Sequence, residues 1–283
     1  MRALAEFAMR GRAQAIGVAV LGIVLSVFVW ISAGVVGLVV LRRGALDAFI
    51  VLGWALLAAI GIWLWQGDPG PVTALIATAI AAYVLRWSRS WPLALIAIVI
   101  TGLMSGFVVS LVGAEFVTLL VLKLNQFIAE NIPAEQAAVL GQLNAVQVSG
   151  LLALRSTCLA VIALLMARWW QAALYNPGGF RDEFHRLRLP LPLAAGLIAG
   201  GALTALLGED YQWWSIMFAL PFVVSGFALI HGMVGIKGWG RGPLIALYLA
   251  WIVLWEVVTA TLLLLALIDS WWDFRERLRA RSQ

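Results

Sequence analysis

The residues able to do chemistry in this sequence gather in one polar phrase, RWWQAALYNPGGFRDEFHRLRLP, from Arg168 to Pro190. It carries Arg168, Arg181, Arg186 and Arg188, the acids Asp182 and Glu183, His185, paired tryptophans and a Pro-Gly-Gly turn. Elsewhere, ionisable groups inside or beside apolar runs are few, and in a membrane such groups pair, bind ions or relay protons. Arg155 lies near the outer end of an apolar run, and Glu115 ends the preceding run on the same side. The two are expected either as a structural pair near the outer surface or as part of a solute site. Glu256 sits among Trp251, Trp255 and Val257. If its run crosses once, Glu256 is a mid-membrane carboxylate suited to a proton- or cation-linked site. If the run is re-entrant, Glu256 sits at a turn within reach of water. His231, in ALIHGMVGIKGWGRG, reads as a hydrogen-bonded interfacial group ahead of a ligand. Asp47 and Asp269 stand near run ends, where charge costs little.

No catalytic set joins these groups. The histidines are not at metal spacing, and no phosphate loop, nucleophile elbow or acid-base carboxylate pair appears. Cys158 is the one cysteine, so neither a disulfide framework nor a cysteine metal site is expected. The reading is of a protein that is not an enzyme and uses no cofactor or metal. A net charge of +5 would suggest nucleic acid in a soluble protein. Here the charge falls in short loops between apolar runs, so the partner is the lipid bilayer and not nucleic acid.

The chain that must position these groups is 63% hydrophobic and 12% charged, against about 25% charged in a soluble domain. Apolar runs fall at 13–41, 45–65, 71–86, 92–113, 149–172, 190–207, 212–235 and 242–268. Each must satisfy its own backbone in lipid, so the fold class is all-α. The architecture expected is a polytopic transmembrane helical bundle of about eight spans, forming one integral membrane domain over residues 1–283. Basic residues alternate between loops. Arg42, Arg43, Arg86, Arg89, Arg168, Arg181, Arg186, Arg188, Lys237 and Arg241 lie on one side, against Lys123 on the other. That bias makes the basic side, and the N-terminus, cytoplasmic in a bacterial inner membrane. No small-residue cleavage site follows MRALAEFAMRGR, so the first run is read as retained. Both ends of the first run and of the last want the basic side. Re-entrant first and last segments, broken at ISAG (Ile31 to Gly34) and at Trp255-Glu256, would satisfy this; the alternative is a single long tilted helix that crosses, with one terminus disobeying the charge rule.

Residues 114–148 are read as an extracytoplasmic amphipathic helical segment turning at Asn131-Ile132-Pro133. Residues 168–190 are read as a cytoplasmic amphipathic loop, with Phe180, Phe184 and Leu187 on one helical face. Anchoring that face in the lipid surface is favoured over docking an integral membrane or cytoplasmic protein partner. If docking wins, Arg181, Phe184 and Arg186 are the contact residues. Ala15 and Ala19 form a small-xxx-small face on the first helix, where another helix could approach closely.

Four phrases resemble a family of uncharacterised bacterial multi-pass membrane proteins, the YybS-like DUF family. They are LRRGALDA, the 168–190 phrase, HGMVGIKGWGRG and LIDSWWDFRERL, in that order. The layout is also remotely similar to the substrate-binding subunits of energy-coupling-factor vitamin transporters and to cell-shape proteins of the MreD type. The resemblance implies a helical bundle with a small-ligand pocket, partnered with an integral scaffold protein. The helix face at Ala15 and Ala19 stands in a place comparable to the scaffold contact of that group. This chain has more expected spans than the usual six and no recognisable vitamin-pocket motif, so no ligand residues carry over.

Two functions follow as expectations. The first is a transport-related protein, a substrate-binding subunit for a small solute. Its marks would be a polar cavity holding Arg155, Glu115 or Glu256 and a free Ala15/Ala19 face. The alternative is a non-transporting scaffold, with a sealed apolar core and exposed Arg181, Arg186 and Arg188.

Overall fold

In the computed structural model, which describes residues 1–136 and 141–282, two short helices, α1 (Arg2–Ala8) and α2 (Arg12–Val24), lead into α3 (Val29–Arg43). Helix α3 is apolar and small on every side, and Ser32 to Leu41 are all buried; such a helix belongs inside a bundle. Around it stand α2, α4 (Ala45–Gln66), α5 (Gly70–Ser88) and the long α8 (Ala145–Tyr175). The contacts are close because α3 offers glycine there. A Cβ on Gly37 would stand 3.0 Å from Ala167 Cβ and 3.3 Å from Thr78 Cγ2.

Helices α6 (Trp91–Val112) and α7 (Ala114–Asn131) precede α8. Beyond it come α9 (Gly179–Arg186), α10 (Leu191–Ala205), a 3-10 turn (Glu209–Tyr211), α11 (Gln212–Met217) and α12 (Leu220–Lys237). The last helices are α13 (Gly242–Val253), α14 (Trp255–Trp272) and α15 (Phe274–Ser282). No strand occurs among the described residues.

Six helices, α4, α5, α6, α8, α12 and α14, are long and apolar enough to cross a membrane, or up to seven if the pair α9 and α10, bent by 69°, is one span. The expected count of about eight is higher because two of the eight runs give no single helix long enough to cross: the first is broken, and 190–207 yields the 15-residue α10. Two later runs are broken as well but each keeps one helix of 18 residues. The first run folds into two helices of 13 and 15 residues. Its break lies at Leu25–Phe28, not at ISAG, whose small residues close the hairpin instead. Ser32 Oγ donates to Ala19 O at 2.7 Å. Both ends of this hairpin lie at one level, since Arg12 Nε donates to Asp47 Oδ1 at 2.9 Å and Arg43 donates to Met9 O at 2.5 Å. The run 212–235 divides ahead of Pro221 at Phe218–Ala219. The last run breaks at Leu254, one residue before the expected site.

That last break also makes a hairpin. Phe227 of α12 stacks on Tyr248, and Tyr248 Oη lies 3.3 Å from His231 Nε2, so α13 runs antiparallel to α12. Gly226 meets Leu262 and Gly232 meets Arg275, so α14 runs parallel to α12. The α13–α14 hairpin therefore begins and ends at the basic end of the bundle.

At the opposite end, α7 is the expected amphipathic helix. Its Val117, Leu120, Val121 and Leu124 pack on Val109, Val148 and Leu152. Asn125 clasps the chain before α8, exchanging hydrogen bonds with both Leu143 N and Leu143 O. Asn144 then caps α8 in a reciprocal capping box with Gln147. The helix chain turns at Ile132, where expected. Residues 137–140 of the 114–148 segment lie outside the described residues.

Candidate functional site

The basic end of the bundle brings together all four phrases that stood out in the sequence. Its physical logic begins with helix C-termini. Helices α3, α5, α8, α12 and α14 all finish here, and the last carbonyls of a helix have no partner within it. Arginines supply the partners. Arg86 donates to Val40 O at 2.7 Å and Gln171 to Leu41 O at 3.2 Å, closing α3. Arg188 donates to Asp269 O at 2.7 Å and Ser270 O at 3.0 Å, and Arg277 to Trp272 O at 2.9 Å, closing α14. A cation there also meets the negative end of the helix dipole.

Residues 168–190 are built into this end as a strap. Gly178, with φ of 89°, reverses the chain after α8 and starts α9. The face of Phe180 and Phe184 turns toward the protein. Phe180 lies 6.1 Å from Trp91 and 5.5 Å from Phe184, and Phe184 lies edge-on to His231 at 5.4 Å. Glu183 accepts from both Arg168, which is 7% exposed, and the Trp91 indole. Phe180 and Phe184, the face expected to anchor in lipid, are half-buried against α6 and α12. Phe184 is likewise half-buried in the chain's own packing and not presented for docking. Arg181 and Arg186 are exposed, and Arg188 is half-buried by its ties to α14.

Beyond α9 the strap is locked from the other side. Leu187 and Leu189 are buried, and the carbonyls of His185 and Leu187 accept from Arg275 at 3.1 and 2.7 Å. Arg275 also pairs with Asp269 at 2.5 Å, with side chains 5% and 0% exposed. Asp269, expected near a run end where charge costs little, is among the most buried groups of the chain. Its free carboxylate oxygen accepts from Phe274 N at 3.0 Å. Composition gave no sign of this pair, although the spacing Asp269 to Arg275 across a helix end was available as a signal.

Between the strap and α12–α13 lies a polar cleft of about 510 Å³, lined by Arg181, His185, His231, Gly235, Arg241 and Leu244 among others. The histidine rings are 6.5 Å apart. His231 is a hydrogen-bonded group, as read: Nδ1 lies 2.9 Å from Phe227 O and Nε2 faces Tyr248. Burial pushes His185 below the ordinary histidine value, helped by Arg181, His231 and Arg275 and opposed by Asp182. No cluster of metal-ligating side chains occurs among the described residues.

The other expected site residues do not converge. Arg155 pairs with Asp68 at 2.7 Å, not with Glu115, and its side chain is 45% exposed. Asp68 was missed because it lies in the GDPGP loop, far away in sequence. Glu115 is exposed on α7, and Glu256 is exposed at the tip of the α13–α14 hairpin. The Ala15 and Ala19 face is not free: both residues are fully buried within the core formed with α3 and α4. Comparison with protein-family models, with curated proteins and with solved structures finds no match.

Proposed function

We propose that this chain is a non-enzymatic membrane scaffold whose basic end is a rigid docking face. The observation that carries the reading is the double fixing of the strap. Arg168–Glu183 holds one half and Asp269–Arg275 with Arg188 holds the other, while Arg181 and Arg186 stay exposed. A face fixed in advance loses little conformational entropy on binding, which favours specific partners. The partner is an integral membrane or cytoplasmic protein with an acidic contact surface. In this reading the chain lies in a bacterial inner membrane with its N-terminus and basic end in the cytoplasm. Its two terminal runs are re-entrant, and it belongs to the YybS-like family.

The test is a photo-crosslinking amino acid placed at position 186 and, as a control, at position 115. A discrete adduct from 186 alone, removed by Arg181→Glu in a protein of unchanged melting temperature, supports docking. Equal labelling from both positions sinks it.

A transport-related role is the second reading, supported by the two short-armed hairpins, since broken helices build solute sites in transporters. It predicts a small-solute adduct in native mass spectrometry that Glu256→Ala removes.

A further inference from the structure

The cleft between α9, α12 and α13 shares Arg181 with the docking face, but the rest of its lining is not used by docking. Arg181 and Arg241 line it, and among the described residues neither is paired with a carboxylate. Both histidines of the chain line it as well. No Asp or Glu does. Two guanidinium-bearing residues line one concave space with no carboxylate among the lining to offset them, which suits an anion. Gly235 brings the groups close. A Cβ there would stand 2.8 Å from His185 Nδ1 and 3.9 Å from a guanidinium nitrogen of Arg181. Helix α13 starts at the rim, with Arg241 as its N-cap residue, so its free N–H groups add positive potential.

We propose that this cleft is a binding site for a phosphate group carried on an organic body. Guanidinium forks suit the oxygens of a phosphate, and His185 adds a donor. The volume exceeds that of a bare phosphate and lies in the ordinary range for small-molecule sites, roughly 300–1,000 Å³. Leu244 gives one apolar wall, and Ile245 and Leu249 continue it as an exposed apolar face along α13. A soluble organic phosphate and a phospholipid headgroup share this chemistry. The groups facing His185 are Arg181 and Asp182 on its own helix, His231 on α12 and Arg275 on α15. Three of these four are basic or can become so, and an added anion shifts that balance toward protonated His185. The site stands whether or not the docking reading holds.

The experiment uses the full chain with isotope-labelled histidine in a phosphate-free maltoside detergent, where two ring signals report directly on the cleft and its wall. Inorganic phosphate and short-chain phosphatidylglycerol are titrated separately, with sodium chloride as the ionic-strength control. The result expected is a saturable movement of the His185 signal and an upward shift of its titration midpoint. Arg181→Gln with Arg241→Gln should weaken the response about tenfold or more. A melting temperature unchanged from that of the parent chain shows that the variant is folded. Saturation by the lipid where inorganic phosphate fails identifies a headgroup site, and the reverse identifies a soluble ligand. The proposal is overturned if neither probe moves His185, if chloride reproduces the effect, or if the response survives both arginine substitutions.

Discussion

Asp269 and Arg275 show how one pair of side chains can hold two distant parts of a chain. Removing one partner leaves a buried charge without compensation, an effect of about 3–5 kcal/mol. Arg275→Ala should therefore lower the melting temperature in detergent sharply, and Asp269→Asn with Arg275→Met should recover much of it. The exposed Arg155–Asp68 pair makes the contrast: Arg155→Ala should cost about 1 kcal/mol or less in the same assay. His185 adds a pH dependence. Its folded value lies below its unfolded one, so the unfolded chain binds the proton more readily. The stability it contributes is complete above about pH 6.5 and is lost as pH falls toward the folded value. Thermal unfolding followed down to about pH 5 should show that acid-side loss, and His185→Gln should flatten it. The sequence announced that Arg168–Pro190 was special, because its polar density contrasts with everything around it. It did not announce which acids mate with which arginines. Arg155 with Asp68 depends on where helices end in space, which local periodicity does not carry, and the spacing of Asp269 and Arg275 becomes a signal only once the end of α14 between them is known.

Helix spacing in the bundle rests on particular small residues. A Cβ on Gly226 would come within 2.5 Å of Leu262 O, a backbone atom that cannot swing aside. Gly226→Ala should push α12 from α14 and destabilise by about 1–3 kcal/mol, readable by thermal unfolding. Ala19→Leu should do the same within the α2–α3–α4 contact, because Ala19 is fully buried. If Ala19→Leu left stability intact, the assignment of that face to internal packing would fail. Long apolar runs such as those that became α4 and α6 were legible, since length and continuity are properties of the sequence itself. Breaks were not. ISAG looks like a weak point, yet its small residues are what let α3 lie deep in the core. The turn instead falls at Leu25–Phe28, which has no Gly or Pro to mark it. Phe184 shows a related ambiguity: an amphipathic pattern states that a face is covered, not whether lipid or protein covers it.

Taken whole, the molecule is asymmetric from end to end. Arginines close α3 and α14 at the basic end, while Asp68, Glu115, Glu209 and Asp210 lie toward the other. The sequence's loop-charge alternation foresaw this polarity, and thiol labelling can test it. In a Cys158→Ser background, Gly11→Cys and Gly240→Cys should react with an impermeant reagent from one side of the membrane, and Asp210→Cys from the other. The arms of the terminal hairpins reach a different conclusion about shape. Helix α2 has 13 residues and α13 has 12, about 18–20 Å at their usual rise, short of a hydrocarbon core about 30 Å thick. Both are rooted at the basic end. In the re-entrant reading proposed above, they widen the leaflet at the basic end, which gives the protein a wedge shape. Wedges prefer curvature: in vesicles of graded diameter it should concentrate where the basic-side leaflet is convex, and deleting residues 1–24, which leaves the core helix α3 in place, should weaken that sorting.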